Sequence, residues 1–275
     1  MRVGITGPPG VGKSSLISCL VRVCRRRGLR VGVISVDPSS QFTQGALLGD
    51  RIRLSEHFLD PEVFIRSMGT RGHMGGLAEA TLQAGLILDA AGKDVIFFET
   101  VGVGQSEIEV ASVADTVVLA VMPGSGDSIQ ALKAGVMEIP DVLVVNKKDH
   151  PSADTTLGEI RAVLTLDRSR DAWATPLLAT NSHTGEGVEE LWGQIRAHGD
   201  YLRSEGLFDK RRAIHLEREV VMLATREMER WLLHQADSDA VLTGILDQVK
   251  RRELDPLSAV RAIMTDVFAL PAREL

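Results

Sequence analysis

The sequence predicts an α/β protein: a doubly wound, mostly parallel sheet followed by a C-terminal helical extension. Three observations carry this. Short β-branched strands alternate with helical patterns through the first two thirds of the chain. A glycine-rich loop follows the first strand and opens the first helix. From about Phe208 glycine nearly vanishes, only Gly244 remaining, and apolar residues fall at helical spacing.

The elements follow in order. Strands are predicted at 2–6, 31–36, 63–66, 94–99, 116–121, 142–146 and 176–179. Most are apolar on both faces, as strands covered by helices on both sides must be. Helices are predicted at 12–27 closed by Gly28, at 75–91 closed by Gly92, and at 128–138. A helix at 188–205 ends a first domain spanning 1–205. In the second, 206–275, Leu216, Val220, Leu223, Ala224, Met228, Trp231 and Leu232 form one apolar stripe. Asp255-Pro256 reads as an N-cap followed by Pro at the first helical position. Two or three helices are expected there, either packed back on the sheet or serving as a dimerisation or partner arm.

Composition removes several classes. At 275 residues, 44% hydrophobic and 25% charged, the chain is neither disordered nor collagenous. Its two cysteines, Cys19 and Cys24, share one predicted helix and match no zinc spacing, which points to a reducing cytoplasm. A net charge of −6 argues against strong non-specific binding to nucleic acid or anionic membrane. No apolar run is long enough for a spanning helix. The stretch from Met1 to Ile5 leads straight to the glycine loop, so no signal peptide is expected.

Gly7-Pro8-Pro9-Gly10-Val11-Gly12-Lys13-Ser14 fits G-x-x-x-x-G-K-[ST], a phosphate loop. Its glycines let backbone N–H groups turn inward around phosphate oxygens, and the next helix points its positive end at the same anion. Lys13 can reach the β and γ phosphates, and the Ser14 hydroxyl can bind Mg²⁺. The expected contacts are Gly7, Pro9, Gly10, Val11, Gly12, Lys13, Ser14 and Ser15.

Asn146-Lys147-Lys148-Asp149 fits N-K-x-D and selects the base. The Asp149 carboxylate can accept from the N1–H and N2–H₂ edge of guanine, a donor pair that adenine lacks. Asn146 and the stem of Lys147 would brace the loop and stack on the base. Asn181, Ser182 and His183, in the stretch 181–187 after the next strand, sit where backbone N–H groups would close over guanine.

Acids at strand ends supply the third signal. Asp37 follows the second strand, and Glu99 begins Glu99-Thr100-Val101-Gly102, an acidic-x-x-Gly switch pattern. Mg²⁺ prefers hard oxygen ligands, so Ser14, Asp37, Asp50 and Glu99 are its candidates. Gly102 could place its N–H on the γ-phosphate. The long interval from Lys13 to Glu99 holds an extra strand ending in Asp37. That arrangement resembles the branch holding signal-recognition GTPases and nickel- or cobalamin-enzyme chaperones, many of them dimers.

Further strings narrow the resemblance. Val36-Asp37-Pro38-Ser39-Ser40, the segments 45–51 and 70–76, and above all Glu99-Thr100-Val101-Gly102-Val103-Gly104-Gln105-Ser106-Glu107 are similar to one family. It is the methylmalonyl-CoA mutase-associated GTPases, G-protein chaperones of adenosylcobalamin-dependent acyl-CoA mutases, earlier described as lysine/arginine/ornithine transport ATPases or kinases. The resemblance is strong over 1–205 and weaker beyond. It implies a GTPase that gates cobalamin delivery to a mutase and protects it, with the cobalamin carried by the partner. It places Mg²⁺ on Ser14, Asp37, Asp50 and Glu99, and a switch at 123–133 where Asp127 and Lys133 serve partner-stimulated hydrolysis. The implied catalytic set is Lys13, Asp37, Asp50, Glu99, Gly102, Asp127 and Lys133, in a cytoplasmic homodimer.

Three departures stand out. The family carries helices before its first strand, where this sequence has Met1. Its Ser-Ala pair in the guanine-closing loop is Asn181-Ser182 here, and the switch of this sequence reads Gly126-Asp127-Ser128-Ile129-Gln130, where an acidic residue and Leu are usual in the family after the Asp. No Gln or Arg in a switch stands out as a water-orienting or finger residue, so slow hydrolysis is expected until a partner reorders the switches.

Two other readings compete. A nickel-type metal-insertion GTPase would show clustered histidines. Here His57, His73, His150, His183, His198, His215 and His234 are scattered, each expected on the surface. A P-loop ATPase or kinase is opposed by the guanine-selecting tetrapeptide.

Overall fold

Val, Ile and Phe dominate the strands on both faces, and both faces are covered. The computed structural model describes residues 1–37, 54–69, 79–100, 110–124, 140–166, 173–236 and 238–270. In chain order these hold β1 (Arg2–Thr6), α1 (Lys13–Arg26), β2 (Val31–Asp37), a 3-10 turn (Ser55–His57), β3 (Val63–Gly69) and α2 (Glu79–Ala90). Then come β4 (Val95–Glu99), β5 (Thr116–Val121), β6 (Val142–Val145), α3 (Ala153–Leu166), β7 (Leu177–Ala179) and α4 (Val188–Ser204). The C-terminal helices are α5 (Leu207–Gln235), α6 (Ala240–Lys250) and α7 (Pro256–Ala262), followed by a π turn (Ile263–Val267).

The described strands form one parallel sheet in the order β3-β2-β4-β1-β5-β6-β7. The chain winds to one side of β1 first and then, from β5, to the other. The carboxyl ends therefore open together at a topological switch point beside β1, where open α/β sheets bind ligands.

Alternation sorts the core. On one face Val3, Ile5, Val33, Phe97, Val118 and Val144 meet Leu16, Ile17 and Leu20 of α1 and Leu191, Trp192 and Ile195 of α4. On the other, Leu119, Val121, Leu143 and Val145 meet Ile160 of α3, with Leu157, Val163 and Leu164 packed against them. Helix α2 lies on β2 and β4. A Cβ on Gly85 would land 2.8 Å from the Phe98 ring, so glycine sets that close approach.

The doubly wound α/β class is observed. β1 and β5 have the predicted bounds. β2 and β3 run on to Asp37 and Gly69, β4 begins at Val95, β6 stops at Val145 and β7 begins at Leu177. Helix α3 is a correction, because the sequence reading has no helix between β6 and β7. Its Thr155, Thr156, Gly158 and Thr165 are weak helix formers, and burial of Ile160 against β5 and β6 outweighs them. The predicted helix 128–138, and the start of the one at 75–91, lie outside the described residues.

Two compact units divide the chain, Met1–Leu216 and Glu217–Leu275. In the first, the opening turns of α5 are clasped to the base of the sheet. Arg212 grips Asp115 through two bonds of 3.1 Å, and Asp115 also accepts the Arg2 N–H at 2.7 Å. Arg211 reaches Asp141 at 3.3 Å, and Asp141 also faces His198. In the second unit, Asp239 and Asp255 cap α6 and α7, the latter with Pro256 at the first turn as predicted. The rings of Trp231 and Phe268 lie 5.2 Å apart. No helix among the described residues is long and apolar enough to cross a membrane.

Candidate functional site

After Thr6 the chain must turn back over the sheet edge to start α1. Gly7, Gly10 and Gly12 take φ of 138°, 78° and 95°, a region that side chains resist. Gly7 also lies against β5, where a Cβ would sit 2.1 Å from the Ala120 carbonyl oxygen. Pro9 and Gly10 form the exposed tip, Val11 is buried and Ser15 is half-buried. Lys13 folds back into the loop, its Nζ donating to the carbonyls of Gly7 at 2.8 Å and Pro8 at 3.2 Å. An ammonium thus stands inside a curl of backbone at a helix N-terminus, an arrangement that favours phosphate.

Next to it is a buried acid. Glu99 is only 4% exposed, and its carboxylate accepts from the Ser14 Oγ at 2.6 Å and the Ser35 Oγ at 2.9 Å. The parallel register puts Ser35 opposite Glu99 on β2 and β4. Ser35 is missing from the predicted site; its signal is a lone hydroxyl in the apolar run of β2. Asp37 ends β2 at the same edge. Asp50, Gly102, Asp127 and Lys133 lie outside the described residues. Hydroxyl and carboxylate oxygens are the donors a hard ion such as Mg²⁺ takes, so the residues in place fit that ion.

The third part is the base loop. Buried Asn146 donates from Nδ2 to the Val11 carbonyl at 2.7 Å and to the Ser182 Oγ at 3.1 Å. Its Oδ1 accepts from the Thr180 Oγ at 3.1 Å and the Ser182 N–H at 3.2 Å. One side chain therefore ties the phosphate loop to the ends of β6 and β7. Lys147 takes φ of 61° and rests its Nζ 3.4 Å from the Met122 sulfur. Asp149 accepts from the Asn181 Nδ2 at 2.9 Å. His183 is exposed, with its backbone N–H on the Asn181 Oδ1 at 2.9 Å. The Cys19 thiol of α1 donates to the Ser182 carbonyl at 3.1 Å, a brace that no sequence spacing announces.

Both cysteines are buried and free, and burial pushes the Cys24 thiol up to about 12. The histidine expectation is corrected in part. His57, His198 and His215 are buried; His57 lies 3.1 Å from the Ser18 hydroxyl and His198 2.9 Å from the Thr116 hydroxyl, partners that replace water for a buried imidazole. His150, His183 and His234 are exposed, and His73 lies outside the described residues.

A parallel sheet with a phosphate loop at its switch point, and an N-K-x-D loop at the end of a strand on the same edge, is the fold of a P-loop GTPase. The chain belongs to the MeaB family, described as methylmalonyl-CoA mutase-associated GTPases, whose profile matches residues 1–237. It is 47% identical over 272 residues to a protein of Pyrococcus horikoshii designated a GTPase, covering 96% of this chain and 84% of that one. It is 36% identical over 219 residues to the mitochondrial methylmalonic aciduria type A homolog of Mus musculus, covering 78% of this chain and 53% of that one. Among solved structures, a LAO/AO transport system kinase superposes with a TM-score of 0.65 at 27% identity, covering 98% of this chain and 82% of that one.

Proposed function

We propose that this protein is a Mg²⁺-dependent GTP hydrolase that acts as a chaperone for an adenosylcobalamin-dependent acyl-CoA mutase, gating cobalamin delivery and protecting the enzyme. The observation that carries the hydrolase half is Asn146, which joins the phosphate loop at Val11 to the base loop at Thr180 and Ser182. The chaperone half is supported by membership of a mutase-associated family, which also favours it over nickel insertion or kinase activity.

The reaction is in-line attack of water on the γ-phosphate. Lys13 exchanges the Gly7 and Pro8 carbonyls for β- and γ-phosphate oxygens, and the loop amides neutralise the transferring charge. Ser14 and Glu99, with Asp37 and Asp50, would hold Mg²⁺, which when bound offsets the phosphate charge. Gly102 takes the γ-phosphate, Asp149 takes the guanine edge, and Ser182 and His183 line its closing loop. Turnover is slow alone and rises when the mutase reorders the switch at 123–133, with Asp127 and Lys133 taking part. The cobalamin stays on the partner. The protein works in the cytoplasm as a homodimer through its C-terminal helices.

The test is calorimetric titration of GDP and ADP with Mg²⁺, before and after adding a cobalamin-dependent acyl-CoA mutase. Micromolar GDP binding, no ADP binding and an affinity that shifts with the mutase are expected. Equal ADP binding overturns the base assignment. Guanine binding unmoved by the mutase overturns the chaperone half alone.

A further inference from the structure

We propose that Asn181 sets the strength of guanine selection by holding the Asp149 carboxylate in the plane that takes two hydrogen bonds from the base. The inference rests on the guanine-nucleotide reading above and goes beyond it by assigning a positioning role to a side chain.

Asp149 is exposed, so its carboxylate would turn freely in water. Asn181 is only 6% exposed and cannot turn with it. Its backbone is fixed on both sides: the Asn181 N–H donates to the Glu186 carbonyl at 3.0 Å, and its carbonyl accepts the Gly185 N–H at 2.8 Å. The carboxamide is oriented as well. Its Oδ1 accepts the N–H groups of His183 at 2.9 Å and Thr184 at 3.3 Å, so the opposite end, Nδ2, faces Asp149. That amide donates to Oδ1 of Asp149 at 2.9 Å, and among the described residues Oδ2 takes no partner. Oδ1 is anchored with a lone pair to spare and Oδ2 is open, so both oxygens can face the base in one plane.

The chemistry makes this matter for one base more than another. Guanine offers N1–H and N2–H₂ side by side, and meeting both requires a fixed carboxylate plane. Hypoxanthine offers N1–H alone, which a turning carboxylate meets nearly as well. Asn181 therefore contributes to the preference for GDP over IDP rather than to nucleotide binding at large.

The experiment titrates GDP, IDP and ADP with Mg²⁺ into the full chain and into Asn181→Asp and Asn181→Ser, with thermal melts of each. Asn181→Asp keeps an oxygen for the His183 and Thr184 N–H groups and replaces the donor with a carboxylate facing Asp149. It should weaken GDP about 30-fold and IDP about threefold, shrinking the preference about tenfold. Asn181→Ser keeps a donor hydroxyl and should retain more of the preference than Asn181→Asp. Should Asn181→Asp not fold, Asn181→Ala carries the same comparison. Equal losses for GDP and IDP would mean loop support only, and an unchanged ratio no role; either overturns the inference. Wild-type protein binding ADP as tightly as GDP would instead overturn the guanine reading itself.

Discussion

Glu99 and Gly12 show how tightly single residues are constrained at the site. Glu99 is a buried acid whose two oxygens accept from Ser14 and Ser35, so its shape is held while its charge stays within reach of a cation. Glu99→Gln keeps the shape and removes the charge. Phosphate release from GTP at saturating Mg²⁺ should fall about 10²–10³-fold, with the melting temperature nearly unchanged. Turnover within threefold of wild type would remove Glu99 from the metal set. Gly12 meets a different limit. Its φ is 95°, and a Cβ would lie 2.7 Å from the Asn146 Nδ2. Gly12→Ala should cost about 1–3 kcal/mol in a denaturant melt and lower GDP affinity at least tenfold, because it strains the loop and pushes on the brace that joins it to the base site. An unchanged affinity would show that the brace can yield. Gly12 and Asn146 were legible in the sequence because their chemistry depends on spacing within one motif. Ser35, Thr180 and Cys19 were not. Each acts across a gap set by strand register or helix packing, as when Ser35 meets Glu99 from a neighbouring strand.

At the scale of elements, strands were readable where both faces are apolar, and α3 was not, because its residues favour helix only once Ile160 is buried. Helix α4 carries a further constraint that spacing did not reveal. Its His198 is buried beneath the sheet, 2.9 Å from the Thr116 hydroxyl and 3.3 Å from Asp141. Burial pushes its pKa below the ordinary 6.5; Asp141, and less strongly Asp115, pull the other way, and Arg211 adds to the lowering. The unfolded chain therefore takes up a proton near pH 6.5, while the folded chain does so only at lower pH. In that interval the unfolded state binds more protons, so stability rises with pH. The contribution is complete above the unfolded value and is lost as pH falls through it toward the folded one. Melting temperature should drop by a few degrees between pH 7.5 and 5.5, and His198→Gln should flatten that slope. Parallel slopes for the two proteins would place the acid sensitivity elsewhere.

For the whole molecule, the question is what covers the C-terminal helices. The nucleotide residues that the structure describes all lie before α4, at the carboxyl ends of the strands. Helix α5 instead leaves Val220, Val221 and Leu233 at 63, 61 and 73% exposed, although its unit has its own buried residues in Leu242, Ile245 and Ala259. With Leu216, Met228 and Trp231 at 49, 41 and 39% exposed, helix α5 would offer the proposed homodimer an apolar face at helical spacing. A second copy is the occupant that the proposed homodimer requires. Sedimentation at micromolar concentration should therefore give twice the mass of the chain, and the double variant Val220→Glu, Val221→Glu should sediment as a monomer. Its GDP affinity should stay within about twofold of wild type, since neither substituted residue belongs to the phosphate or base loop and both lie in the other unit. A monomeric wild type would refute the dimer. A dimeric double variant would place the contact on another surface, and a joint loss of dimer and GDP binding would mean that the two units depend on each other for folding.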